Sequence, residues 1–94
     1  MRRVKTQTNT REKMQKPSNS LVKCKVNERA REMVRSLLED GYRKRFQVML
    51  PRSCFYSLKH YKNGSFITIV GNYDTGIIRL TRDGRLRHTE QICV

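Results

Sequence analysis

Two groups of residues in this chain have the types and spacing to hold a polyphosphate. Arg79, Arg82, Arg85 and Arg87 crowd around an Asp83-Gly84 turn. A guanidinium presents a planar fork of donors that matches phosphate oxygens, so such a cluster suits a nucleic-acid backbone. The plainer alternative is a solvated hairpin whose like charges deter edge-to-edge aggregation. The second group lies in "CFYSLKHYKNGSF", residues 54–66. Side chains alternate along a strand. Phe55, Ser57, Lys59 and Tyr61 therefore share one face, and Tyr56, Leu58 and His60 the other. The first set joins rings that can stack on bases to an ammonium that can meet phosphate. The second is more aliphatic and is expected in the core. Plain packing of the rings within the sheet is the competing reading.

Other chemistry has less to work with. His60 and His88 are the only histidines, and no CxxC or HxxxH spacing accompanies them. Neither a metal site nor a cofactor is expected. No glycine-rich phosphate loop with a lysine is present. Cys24, Cys54 and Cys93 are odd in number and far apart, which suits a reducing, cytoplasmic setting better than a disulfide framework. Cys24 reads as a small core residue. RNA cleavage would need a base, an acid and cations on the phosphate. His60, His88, Tyr61, Arg79 and Arg87 are the groups available for that.

Charge bounds the class of partner. Twenty-one Lys and Arg stand against eight Asp and Glu, a net +13 over 94 residues. The surplus is densest in residues 1–25, where Glu12 is the only acid. So large an excess repels itself, and a polyanion relieves the repulsion. Nucleic acid comes first, with anionic lipid and acidic proteins behind it. No apolar run approaches membrane-spanning length. The opening "MRRVKTQTNTREKMQK" lacks the apolar stretch of a secretory signal.

The elements that must position these groups follow from periodicity. Only Val4 among Val, Ile, Leu and Phe lies in residues 1–20. That segment is expected to be a flexible basic tail, and residues 21–94 a single domain. "LVKCKV" alternates, which predicts a short strand with Lys23 and Lys25 outward, adding to the basic surface. Asn27 suits a helix N-cap. Ala30, Met33, Val34, Leu37 and Leu38 form an apolar stripe, and Gly41 a C-terminal cap, so a helix is expected over about 27–40. Phe46, Val48 and Leu50 alternate up to Pro51. Four further strands are expected at 54–61, 65–71, 76–81 and 85–92, with turns at Asn63-Gly64 and Asp83-Gly84. A two-residue first turn would set Leu58 opposite Ile69, His60 opposite Ile67, Lys59 opposite Thr68 and Tyr61 opposite Phe66. A three-residue second loop, Arg82-Asp83-Gly84, would set Leu80 opposite Leu86 and Arg79 opposite Arg87. The fold class is α+β: a single helix packed on a mostly antiparallel β-meander, with a disordered basic N-terminal tail.

"NGSFITIVGNYDTGIIRLTRDG", residues 63–84, resembles the central strands of Sm/Hfq-type RNA-binding rings in its order of NG, YD, aliphatics and DG. The resemblance favours RNA over DNA. In size, charge and architecture the chain also resembles toxin-type endoribonucleases. The expectation is therefore a non-catalytic nucleic-acid-binding protein, a small regulator or ribonucleoprotein accessory. Its contacts would be Arg79, Arg82, Arg85, Arg87, Lys59, Tyr61, Phe55, Lys23 and Lys25. The alternatives are an inhibitor docking on an acidic or nucleic-acid-processing partner, and a small endoribonuclease.

Overall fold

A computed structural model describes residues 16–92, with side chains from residue 21. One helix, α1 (Lys16–Glu39), precedes five strands: β1 (Tyr42–Met49), β2 (Ser53–His60), β3 (Phe66–Asn72), β4 (Ile77–Arg82) and β5 (Arg85–Gln91). The strands form one antiparallel sheet in the order β1-β2-β3-β4-β5. The α+β meander under one helix is as the sequence predicts.

The helix is longer than expected, and the strand expected at 21–26 does not form. Val22, Cys24 and Val26 fit a strand's period of two, but Val22 and Val26 also fit a helix's i, i+4. The second pattern wins because it continues through Ala30, Met33, Val34 and Leu37, all packed in or against the core. Cys24, expected inside, is exposed on this helix, and Cys54 is the buried thiol. Residues 1–15 of the expected tail, and Cys93, lie outside the described residues, while 16–20 are helical. Pro17 fits the first turn, where backbone N–H groups have no partner inside the helix.

Asn27 is therefore not a cap. Its Oδ1 accepts a 2.9 Å hydrogen bond from the buried Tyr73 hydroxyl. Burial pushes the Tyr73 phenol up to about 12, and pushes the Cys54 thiol beside it up as well. The core lies between α1 and one face of the sheet, with Tyr56, Leu58, Ile69 and Ile78 at its centre. Gly41 ends the helix at a φ of 105°, as expected. Leu38, at the edge of the stripe, is half exposed.

Both hairpins differ in register from expectation. At the first, Leu58 pairs with Ile67 and Lys59 with Phe66, and Tyr61 lies in the loop. The loop is longer because His60 organises it. The His60 N–H donates to the Ser65 carbonyl, and its ring Nδ1 accepts from the Lys62 N–H. The partners move by two residues, so every side chain keeps its expected face. At the second hairpin the loop is two residues, Asp83 and Gly84, both with positive φ, and Arg82 faces Arg85. A bulge then inserts Arg87, so Thr81 pairs with Leu86, Leu80 with His88 and Arg79 with Thr89. The expected Leu80–Leu86 and Arg79–Arg87 pairs do not form.

Candidate nucleic-acid interface

The helix covers only one face of the sheet. Cross-strand partners define the other: Phe46, Val48, Phe55, Ser57, Lys59, Phe66, Thr68, Val70, Arg79, Thr81, Leu86 and Thr89. An uncovered antiparallel face normally carries polar side chains. This one carries three phenylalanines and leaves Phe46, Val48, Phe66, Val70 and Leu86 largely exposed. Phe46 and Phe55 stack on each other at 5.7 Å between ring centres. The Thr68 and Thr81 hydroxyls are bonded to each other across β3 and β4. Ser57, beneath these rings, is buried with its hydroxyl unpartnered.

Cations gather at the β1 end of this face. A bulge between Lys44 and Phe46 frees Arg45 from the ladder, and its guanidinium lies 6.0 Å from the centre of the Phe66 ring. Arg43 lies 5.2 Å from the Tyr61 ring and Lys62 5.7 Å. Each such contact contributes roughly 0.5–1 kcal/mol at an exposed site. Tyr61 itself is 60% exposed, and its ring also stacks on His60 at 5.4 Å between ring centres. Arg43, Arg45, Lys59, His60 and Tyr61 line an open hollow of about 440 Å³.

No described strand turns an acidic side chain toward this face, although the Asp83 carboxylate borders it and accepts from the Phe66 N–H at 2.9 Å. Among the described residues, Glu28, Glu32 and Glu39 lie on α1, Asp40 follows it, and Asp74 and Asp83 lie in loops. Glu90 points from β5 toward the helix. Arg29 donates to its two oxygens at 2.6 and 3.1 Å, and His88 Nε2 lies 2.9 Å from it. These partners, Arg29 first, hold the Glu90 carboxyl below its ordinary range.

The structure thus brings Phe55, Lys59 and Arg79 of the expected contacts to one side of the sheet, with Tyr61 in the loop at its end, against His60 and Gly41. Arg82 and Arg85 sit exposed at the tip of the β4–β5 hairpin, and Arg87 on its bulge. Lys23 and Lys25 are on the helix, across the sheet from the aromatic face, and Lys23 Nζ lies 5.5 Å from the Tyr73 ring. The sequence reading did not single out Arg43, Arg45 or Lys62 beside Phe66 of the 54–66 stretch. With Phe66 they converge from two strands and a loop, and the bulge that turns Arg45 outward leaves no periodic signal.

The histidines are not brought together. They lie on β2 and β5, three strand spacings or roughly 14 Å apart across the sheet, and are further separated along it because His88 is level with Tyr56. Both ring nitrogens of His60 are occupied. Nδ1 accepts from the Lys62 N–H, so Nε2 carries the proton and donates to the Asp40 carbonyl at 3.0 Å. His60 thus ties the helix end to the first hairpin. A Cβ at Gly41 would come within 2.8 Å of this ring, so only glycine fits there.

A second concavity lies on the other side of β1, between it and α1. Arg31, Val34, Arg35, Leu38, Lys44, Gln47 and Tyr56 line it, and its volume is about 240 Å³. The Tyr56 hydroxyl is buried without a hydrogen-bond partner. Leaving such a group unpaired costs about 1–3 kcal/mol. Comparison of the chain with protein-family models, curated proteins and solved structures gave no match, so these side chains carry the functional argument.

Proposed function

We propose that this chain is a non-catalytic nucleic-acid-binding protein that lays a single strand, preferably RNA, across the open face of its sheet. The observation that carries this is the interleaving of exposed rings with cations on a face whose described strands turn no carboxylate outward. Bases stack on Phe46, Phe66 and Tyr61, and phosphates meet Arg43, Arg45, Lys59 and, at the far side, Arg79. Every base offers a stacking face, so binding depends weakly on sequence. The strand must be single, because stacked and paired bases cannot lie flat on a sheet. A small regulator or ribonucleoprotein accessory would need no more than this.

The test is fluorescence anisotropy with a labelled single-stranded RNA oligomer and its duplex over a range of salt. Affinity should fall steeply as salt rises, since each neutralised phosphate releases counterion. Arg43→Ala with Lys59→Ala should flatten that slope by about one to two phosphates' worth. Arg79→Ala with Arg87→Ala should flatten it less, because only Arg79 is on the aromatic face. Tyr61→Ala should weaken binding at every salt concentration and leave the slope unchanged. A duplex bound as tightly as the single strand, or a slope indifferent to Arg43 and Lys59, would remove the sheet face from the interface.

A further inference from the structure

The groove between α1 and β1 is on the opposite side of the sheet from the aromatic face, and nothing in the strand-binding reading uses it. Its walls are of two kinds. Val34, Leu38 and the ring of Tyr56 make an apolar floor, and Arg31, Arg35 and Lys44 supply cations, with Gln47 beside them. Leu38 is 41% exposed there, an apolar side chain left half in water. Arg31 and Arg35 stand four residues apart on one helix, so their charges repel each other. Among the described residues neither is paired with a carboxylate. Lys44 donates to the Gln47 side-chain oxygen at 2.9 Å, which leaves the Gln47 amide N–H groups to donate elsewhere. Tyr56 is only 2% exposed, and its hydroxyl has no partner. Arg31 is near enough for its charge to act on that hydroxyl, although burial dominates and pushes the phenol up.

These features describe a ligand with a flat body and a compact anionic end. At about 240 Å³ the groove lies just below the roughly 300 to 1,000 Å³ of sites that enclose drug-sized ligands, so it holds part of such a ligand and leaves the rest in solvent. Two guanidiniums and an ammonium suit the spread charge of a phosphate better than a single carboxylate. A ring on the apolar floor can reach Tyr56, while the anion relieves the Arg31–Arg35 repulsion.

We infer that the α1–β1 groove is a nucleotide subsite, in which a nucleobase rests on Val34, Leu38 and Tyr56 and a phosphate is held by Arg31, Arg35 and Lys44. The nucleotide can be free, or it can be one unit of a strand passing round the β1 edge.

Titration calorimetry of the full chain with adenosine 5′-monophosphate, adenosine, inorganic phosphate and a single-stranded RNA oligomer tests this. The monophosphate should bind more tightly than adenosine or phosphate alone. Tyr56→Phe, which keeps the ring and the packing, should weaken it by about tenfold. Arg31→Gln with Arg35→Gln should weaken it further. Tyr61→Ala with Arg43→Ala should leave monophosphate binding intact, which separates this groove from the sheet face. A free nucleotide as the ligand predicts that the Tyr56→Phe loss appears with the monophosphate only. A strand as the source predicts the loss with RNA as well. Monophosphate binding that is undetectable at millimolar concentration would overturn the proposal, as would an affinity that neither groove variant changes. Binding of phosphate alone, as tight as that of the nucleotide, would overturn it too.

Discussion

Gly71 on β3 pairs across the sheet with Cys54 on one side and Ile78 on the other, and faces the helix. A Cβ there would come within 2.6 Å of Val26 Cγ1 and 2.9 Å of Cys54 Sγ. The glycine lets α1 settle onto the sheet and seals the Asn27–Tyr73–Cys54 cluster beneath it. Gly71→Ala should therefore destabilise the chain by about 1–3 kcal/mol, the usual range for overpacking a filled core. Thermal or urea unfolding measures it. Unchanged stability would mean that the helix is free to lift, and that the Val26 contact is not holding the layers together. The sequence marks Gly71 only as a glycine within a strand. What it accommodates depends on a helix from the other end of the chain, so its purpose is legible only once the layers are stacked.

At the scale of elements, β5 is the outer strand at one edge, and Glu90 ties it to α1 through Arg29. The lowered Glu90 pKa fixes the sign of its pH dependence. The unfolded chain holds this proton more tightly than the fold does. The pair's contribution is therefore present above the ordinary value of 4.5 and is lost as pH falls through the lower native value. Glu90→Gln should lower the melting temperature near neutral pH, and the gap to the parent should close as pH falls from the ordinary value of 4.5 through the lower native value. A gap that stays constant across that window would mean that Glu90 gains nothing from Arg29. The elements themselves were unevenly legible. The four strands after Pro51, their meander order and the allocation of β2 faces follow from alternation and turn residues, and all are found. The β4–β5 bulge and the four-residue first loop depend on local hydrogen bonds of His60 and on ladder geometry, which no residue pattern encodes. The first turns of α1 were misread because Val22 and Val26 satisfy two periods at once, and Cys24 between them completes only the strand's. Only the core behind Val26 decides between them.

For the molecule as a whole, the governing fact is a surplus of +13 on so small a chain, with no carboxylate turned onto the aromatic face by the described strands. The sequence makes the surplus plain and shows one focus of it, to which the fold adds a second. The four arginines around Asp83 are conspicuous because they are close in sequence. The cluster of Arg43, Arg45, Lys59 and Lys62 around Tyr61 and Phe66 is assembled by pairing between strands. The two consequences of the surplus respond to salt with opposite signs. Self-repulsion destabilises the free fold, and screening relieves it over a Debye length of about 10 Å at 0.1 M. Binding to a polyanion stabilises the fold by mass action, and the same salt weakens that binding. The free chain should therefore melt at a higher temperature as salt rises from about 20 to 200 mM. The extra stability conferred by saturating single-stranded RNA should shrink over the same range. Parallel thermal melts with and without RNA read both effects in one experiment. If the free chain melts alike at both salts, its cations are already neutralised within the fold. If the RNA increment also stays constant, phosphate contact is not what binds, and the charge on this chain serves something other than a nucleic acid.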